Sequence, residues 1–537
     1  MFGNFPINDD WIFVRQVEAF NQGIFTLSAE LDPSFVAQGF LGLLWGKVFG
    51  ISFSSLQALT FLITLIGLVF FIKILKLFAL KNSIVVVSAL LLFFNPLIFT
   101  HSFTFMTDNY FLSFMIISVY FFLKFLRDKE SLRYLVLSAM FLILSTLTRQ
   151  IGVLIGVAMV VALVYDLLKE NVKKVDRRHI LSFAIIILFS LFGMLVTLLW
   201  PRFGGNRTFI LLEQVKERLQ TLMLSLHYFP ILLFPLFYGF KTKLFQNKKY
   251  RRLISVLFLS FAIFLYKFDF FPVGSVLYLE ELHLKSDYRA NFSLFDNIFF
   301  KLVLSLILSY SLVVFVRLFL RGRSYYKRLS LTSGDVFLAV LGLINFGVFL
   351  ISSDFYDRYL LPPFICFFIL FLIKFCNQIR VNKFVILGTS LLIFITVSLQ
   401  WEYYSVNNLK WAQARALSEE TGYLSQIHLN DTYRKHVMTL KKNDFTGLIS
   451  TSSSNEKCHV QNYTIDSDSL LLRKIQDLED YIDENIVKKP RPYKARKKRG
   501  IPRAKNNLDK LIYNEQYFSF LYDLVGKDAF VASWCVD

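Results

Sequence analysis

Apolar runs dominate this chain. Between residues 55 and 401 they follow one another with short polar breaks, each near the roughly 20 residues that cross a bilayer as a helix. About twelve such runs can be read at that length, near 55–77, 83–100, 107–126, 132–148, 150–168, 179–199, 226–240, 252–272, 298–320, 335–353, 359–376 and 383–401. Two regions depart from the pattern. Residues 35–49 are apolar but short and contain Lys47, which predicts a helix lying in the membrane interface rather than a span. After Trp401 the chain turns polar, with mixed helix-like and strand-like runs. The pattern divides the chain into a first external loop with an amphipathic helix (1–54), a helical membrane domain (55–401) and a small extracytoplasmic α+β domain (402–537). The fold class expected is an all-α polytopic membrane protein carrying that C-terminal domain.

Composition agrees. Of 537 residues, 55% are hydrophobic and only 18% charged, too little charge to cover a soluble surface. The net charge of +20 first suggests nucleic acid, but its distribution argues against that partner. Lys and Arg gather in short loops, "LKLFALKNS", "KFLRDKESLR", "KENVKKVDRRH", "KTKLFQNKKYRR", "RGRSYYKR" and "NQIRVNK", at every second connection, where the positive-inside rule puts cytoplasmic loops. The intervening loops then face outward, as do both termini, in a plasma-membrane protein. The N-x-S/T triplets at Asn206, Asn291, Asn430 and Asn462 all fall on that outer side. The basic, Pro-containing run 488–505 reads as a solvated linker or as a contact to anionic headgroups.

The outward loops hold the candidate chemistry. Asp9 and Asp10 precede the first span, Asp108 opens one, Arg149 sits at a tight junction between two, and His227 begins another. Glu280 and Glu281 lie in "YLEELH", and Asp354, Asp357, Arg358 and Tyr359 in "SSDFYDRYLLPP". Each has a plain alternative: a wet terminus for Asp9 and Asp10, a helix cap for Asp108, a snorkelling arginine for Arg149, ordinary interfacial charges for the rest. Their shared side of the membrane is the argument, because charges at span boundaries are costly unless paired or hydrated. Acids and cations in one outward cavity suit chemistry on an anionic lipid-linked substrate, with a carboxylate as general base and arginine holding a phosphate. No phosphate-binding GxxxxGK[ST] loop or GxGxxG turn is present, and "DSD" at Asp466–Asp468 lies in the external tail, where nucleotide sugars are not expected. Four cysteines, Cys366, Cys376, Cys458 and Cys535, show no metal-binding spacing. The last two could form a disulfide if the tail is outside the cytoplasm.

Taken in order, these stretches resemble the GT-C membrane glycosyltransferases, and most closely the superfamily of bacterial protein O-mannosyltransferases and lipid A aminoarabinose transferases. "INDDWIFVRQVEAFNQGIF" is similar to that family's acidic first external loop, and "AQGFLGLLWGKVFGIS" to its amphipathic segment. "NPLIFTHSFTFMTDNYFLSFMIISVYFFLKFL" resembles its second acidic motif, and "STLTRQIGVLIG" and "DRYLLPPF" its later short motifs. The resemblance covers about residues 4–401. It implies sugar transfer with inversion from a polyprenyl-phosphate donor to a glycan, lipid or protein acceptor, among membrane lipids. It implies Asp9 as catalytic base with Asp10 beside it, and Asp108 as the second-motif acid that shapes the site or, in some members, holds a divalent metal, although no compact ligand set is legible. Arg149 and Arg358, with Tyr359 and His227, are the candidates for the donor, on charge and position more than on motif. Relatives carry a Lys-Pro-Pro type stretch where this chain reads "ELDPSFVAQG", and a span before the acidic loop. That difference predicts about thirteen spans in a longer form. Two other classes stay open: a transporter or flippase, in which these charges would line a path across the bilayer, and a non-catalytic scaffold, in which they would not converge.

Overall fold

The structure, a computed structural model, describes residues 3–7, 9–28, 31, 34–128, 131–169, 176–202, 228–240, 248–268, 277–278, 283–284, 298–326, 331–351, 357–421, 427–428, 458–466, 510–517 and 527–535. Helices fill most of it. Helix α1 is Asp10–Asn21 and α2 Val36–Phe49, followed by α3 (Phe53–Leu77), α4 (Asn82–Phe93), α5 (Pro96–His101), α6 (Thr107–Arg127) and α7 (Leu132–Thr148). Then come α8 (Leu154–Lys169), α9 (Arg177–Leu199), α10 (Tyr228–Phe237), α11 (Lys248–Phe268), α12 (Ile298–Tyr326), α13 (Ser333–Ile351), α14 (Leu361–Phe375) and α15 (Lys383–Thr421).

Among the described residues six helical segments are long and apolar enough to cross a membrane: Phe53–Leu77, Thr107–Arg127, Gln150–Lys169, Arg177–Leu199, Arg358–Gln378 and Lys383–Ala416. Shorter apolar helices accompany them, and the protein is an integral membrane protein of mainly helical build. Its outer surface is lipid-like. Helix α9 exposes Leu188, Leu191, Leu195 and Leu198 and buries Ser182, Gly193 and Thr197. That inversion suits a bilayer, where helices gain nothing by hiding leucine from lipid and associate through small and polar residues. Ser118 of α6 and Ser138 of α7 show the same logic: each hydroxyl donates to the other's carbonyl, at 2.8 and 2.7 Å. At Gly67 an added Cβ would lie 2.6 Å from the Ser113 hydroxyl, so glycine sets how closely α3 and α6 cross.

Two boundaries differ from the sequence pattern. The run 83–100, expected as one span, is two helices. Asn95 Oδ1 accepts the Leu97 amide at 3.0 Å, and Pro96 occupies the first turn of α5; proline has no N–H for a helix to continue through and is preorganised to start one. The chain therefore turns at Asn95, and α5 becomes a short buried helix leading to Asp108. Helix α15 runs through the composition change at Trp401 as far as Thr421, about 58 Å at 1.5 Å per residue. The short helix α2 is about 21 Å long by the same rise.

The helix ends sort into two groups. Loops rich in Lys and Arg lie at one: Arg127 donates to the Leu77 carbonyl, and Lys169 reaches the Leu331 carbonyl at 2.7 Å. At the other, Trp200 Nε1 donates to the Phe25 carbonyl at 2.9 Å and Arg202 Nη1 to the Leu31 carbonyl at 2.9 Å, tying the end of α9 to the first loop. The Phe35 amide donates to the Thr148 carbonyl at 3.2 Å, binding that loop to the end of α7.

The remaining described strands are β1 (Leu277–Tyr278) and β2 (His283–Leu284), an antiparallel pair, and β3 (Ile427–His428), β4 (Cys458–Asp466), β5 (Lys510–Tyr517) and β6 (Lys527–Cys535). The last four form a sheet in the order β3-β4-β6-β5. Strands β4 and β6 pair antiparallel in a register that sets Cys458 opposite Cys535.

Candidate active site

The site begins with how α6 starts. Its first turn carries Asp108, a position where the helix's unpaired amides favour a negative charge. The side chain is buried, and two arginines converge on it from other elements. Arg149 Nη1 donates to Asp108 Oδ1 at 2.9 Å, and Arg358 Nε stands 3.7 Å from the same oxygen. Arg149 reaches it because the backbone is extended between α7 and the next helix, at φ −143° and ψ 131°. Arg358 comes from the single helical turn Asp357–Leu360, just before the two prolines that open α14. The Tyr359 ring lies beneath both guanidinium groups, at 5.2 Å from Arg149 and 5.8 Å from Arg358, a cation–π arrangement. Four sequence candidates more than 200 residues apart in part, Asp108, Arg149, Arg358 and Tyr359, thus meet in one cluster.

The cluster keeps spare hydrogen-bonding capacity. Asp108 Oδ2, Thr107 Oγ1 and Asn109 Oδ1 are buried without a partner among the described residues. Asn109 is held by its other end, its Nδ2 donating to Thr64 Oγ1 and to the Ile98 carbonyl, both at 3.0 Å. Buried polar atoms are almost always satisfied in folded proteins, so three orphans in consecutive residues mark a place where a polar ligand or water belongs.

The first loop supplies the neighbouring acids. Asp9 caps α1 without spending its carboxylate on a capping hydrogen bond, and it is exposed. Asp10, one residue on, is fully buried against the Phe105 main chain and the Gln57 side chain, and burial pushes its carboxyl well above the usual carboxylate range. Phe105 is also gripped by Gln38 of α2, whose Nε2 donates to its carbonyl at 2.9 Å. Because Phe105 lies three residues before Asp108, α1, α2 and the start of α6 form one packed unit. Tyr404 of α15 joins it: its hydroxyl donates to the Phe103 carbonyl and its ring packs 6.2 Å from Phe5.

The placement of the other candidates is mixed. Asp357 lies in the turn that carries Arg358. His227, Glu280, Glu281 and Asp354, with the basic run 488–505, lie outside the described residues. Sequence reasoning passed over His101, Gln38, Gln57 and Tyr404. His101, at the end of α5, is buried and acts electrostatically on Asp108; the Asn95-Pro96 break, which makes a short helix ending just before the acidic motif, was the available signal. The glutamines sit in ordinary apolar sequence and Tyr404 in the polar stretch just after Trp401, and none of them carried a signal.

A divalent metal finds no cage here. Among the described residues no three His, Cys, Asp or Glu side chains converge on a point. Asp108, the acid a metal would use, already faces two guanidinium groups through one oxygen, and positive neighbours disfavour a second cation. The described residues do not fit such an ion.

Comparison with known proteins finds a family match over part of the chain. Residues 37–200 match the family described as dolichyl-phosphate-mannose-protein mannosyltransferase. That segment contains α2, the acidic start of α6 and Arg149, and the match bears out the resemblance to GT-C membrane glycosyltransferases read from the sequence. No curated protein matches significantly. Among solved structures, the Archaeoglobus fulgidus oligosaccharyltransferase in its apo form is similar at 13% identity and a TM-score of 0.40, covering 84% of this chain and 57% of that one. The oligosaccharyltransferase AglB of the same organism, in complex with an inhibitory peptide and a dolichol-phosphate, is similar at 13% and 0.40, over 85% and 57% of the two chains. ArnT from Cupriavidus metallidurans in the apo state is similar at 12% identity and a TM-score of 0.34, over 88% and 90%. The chain thus spans little more than half the length of the archaeal enzymes, and all three likenesses are distant.

Proposed function

We propose that this protein transfers a monosaccharide from a polyprenyl-phosphate donor to a hydroxyl of a glycan, lipid or protein acceptor outside the cytoplasm, at the plasma membrane. The observation that carries the reading is the cluster in which Arg149 and Arg358 share Asp108 over the Tyr359 ring, next to the acidic first loop. Two guanidinium groups against one carboxylate leave a net positive charge, held rigid before any ligand arrives. Such preorganised charge stabilises a leaving phosphate in the transition state without reorganisation at the moment of reaction.

In this scheme the donor enters sideways from the membrane, its isoprenoid tail in lipid. Its phosphate meets Arg149 and Arg358. The exposed Asp9 takes the proton from the acceptor hydroxyl as that oxygen attacks the anomeric carbon. The bond from that carbon to the phosphate oxygen breaks on the opposite face, and polyprenyl phosphate departs with the bonding pair. Asp108 orients the arginines. The donor is already activated, so no nucleotide is consumed. His227 is a further candidate for the donor on its sequence position alone, and the domain after α15 is the candidate for acceptor binding.

Transport is less well supported. It requires a polar route through the bilayer, whereas Asp108, Arg149 and Arg358 gather at one end of the helices. The test is Asp9→Asn in vesicles supplied with radiolabelled polyprenyl-phosphate sugar and acceptor. Loss of a positioned general base lowers the rate about 10²–10⁴-fold. Unchanged sugar transfer would sink the role of Asp9, and absence of any transfer by the unaltered protein would sink the transferase reading.

A further inference from the structure

Asp9 and Asp10 are adjacent in sequence but end in opposite surroundings. Asp9 is exposed at the cap of α1. Asp10, in the first turn, has no accessible surface at all. Every element packed against it presents an uncharged face. Helix α3 contributes the Gln57 amide, the segment before α6 contributes the Phe105 main chain, and the Ile7 main chain lies alongside. Among the described residues Tyr110 of α6 and Tyr404 of α15 are titratable groups that face it, and Asp9 adds a charge of like sign. No Lys, Arg or His forms an ion pair with Asp10 among the described residues. Arg15, on the same helix, pairs with Glu18 at 2.7 Å, and the two site arginines face Asp108.

The hydrogen-bonding inventory sharpens this. Both carboxyl oxygens of Asp10 and both amide atoms of the neighbouring Gln57 are buried without a hydrogen-bond partner among the described residues. An ionised carboxylate only accepts, so it satisfies the Gln57 NH2 and leaves the Gln57 carbonyl oxygen orphaned. A protonated carboxyl both donates and accepts. Closing onto the Gln57 amide, a protonated carboxyl would satisfy all four atoms at once, by accepting from the amide N–H and donating its O–H to the amide carbonyl. An unpaired ionised carboxylate in such surroundings is so costly that the group takes up a proton instead.

We propose that Asp10 is the uncharged, positioning member of the adjacent acid pair: as a carboxylic acid buried beside Gln57 it seats α1 against α3 and the Phe105–Asp108 segment, and so aims the exposed Asp9. This rests on the proposed transferase only for the role of Asp9; the protonation of Asp10 stands apart from it. The arrangement explains why two neighbouring acids are not redundant. A second negative charge beside Asp9 would repel both it and an incoming phosphate, whereas a neutral carboxyl holds the helix in place without that cost. The burial that raises Asp10 above the ordinary carboxylate range acts in the same direction.

The test uses the full-length protein in lipid vesicles, with Asp10→Asn and Asp10→Ala. Asparagine keeps the shape and can meet the Gln57 amide as a neutral partner, so D10N is expected to stay within about tenfold of wild-type transfer, well short of a general-base loss of about 10²–10⁴-fold, while D10A loses more. Two readouts need no activity. Infrared difference spectra of the wild type at neutral pH should contain a protonated-carboxyl C=O band that D10N lacks. Thermal unfolding supplies the other. An acid whose pKa is raised on folding stabilises the fold fully below its unfolded pKa, near 3.9, and that stability is lost progressively as pH rises toward the folded value. The melting temperature of D10N relative to wild type should therefore climb between about pH 5 and pH 8. A difference that stays constant or falls with pH, or the absence of the infrared band, overturns the proposal even if transfer is normal. A D10N loss equal to that of D9N, in folded protein, overturns it too, and transfer by the wild type then leaves the transferase reading standing.

Discussion

The two ends of the helical domain each bury an acid against a base, and they do it differently. At the end with the basic loops, Asp335 of α13 accepts from Lys374 of α14 at 2.6 Å and from the Thr332 amide at 2.8 Å. The Asp335 amide in turn donates to Thr332 Oγ1 at 3.1 Å, a reciprocal cap. Nearby, the Ser333 hydroxyl donates to Asp166 of α8. None of these side chains leaves a buried polar atom unmatched among the described residues. At the other end, Asp108 shares one oxygen with two arginines and leaves the second unmatched. A network satisfied from within is a clamp, since nothing in it needs a ligand. A network with surplus charge and orphaned acceptors is stable only if something else completes it. The contrast distinguishes scaffold from site more sharply than charge content does, because both ends are charged.

The comparison can be broken at several points, in falling order of effect. Replacing Lys374 by Met removes the cation that Asp335 pairs with among the described residues and strands a buried carboxylate; a loss of about 3–5 kcal/mol is expected, read as a lower unfolding midpoint in detergent. The surviving folded fraction should keep its transfer rate per molecule. Arg149→Gln should behave in the opposite sense. Arg358 remains beside Asp108, so stability suffers less, while loss of a charge-assisted contact to the phosphate of about 1.5–3 kcal/mol should lower transfer by roughly 10–150-fold, seen mainly in kcat/KM for the lipid donor. If R149Q unfolds the protein as badly as K374M and leaves transfer intact, the distinction between the two ends fails. Gly67→Ala, away from both ends, should cost about 1–3 kcal/mol through overpacking against Ser113, without a specific effect on the donor. Last, the strand register opposes Cys458 and Cys535, and neighbouring antiparallel strands bring Cα atoms to about 4.5–5.5 Å, inside the span a disulfide bridges. Mass analysis of the protein from its native membrane should find the pair joined, two hydrogens lighter than after reduction. Free thiols at both positions would count against an extracytoplasmic tail.

How far the site was legible depends on what kind of signal each residue leaves. Asp108, Arg149 and Arg358 stood out because charge at the edge of an apolar run is expensive and therefore conspicuous. Their common side followed from the alternation of basic loops. Their convergence on one oxygen did not, since it depends on an extended residue at Arg149 and on how α14 packs beside α6. The split of the run 83–100 was written in Asn95-Pro96, yet apolar length outweighed it in the reading. Asp9 and Asp10 show the limit most plainly: the sequence offers two identical carboxylates side by side, and only packing makes one exposed and the other buried.

By itself, then, the order of residues determined the solvent this protein lives in, the stretches that enter the membrane and the short roster of charged groups available at its edges. Those follow from transfer free energies summed over local windows, which need no knowledge of neighbours. The tertiary structure decided which of those charges are spent on holding helices together and which are left over. That difference lies in partners tens to hundreds of residues away, as with Lys374 and Asp335, Arg149 and Asp108, or Arg358 and Asp108. It is set by burial and pairing in a low-dielectric interior, where an unmatched polar atom is costly.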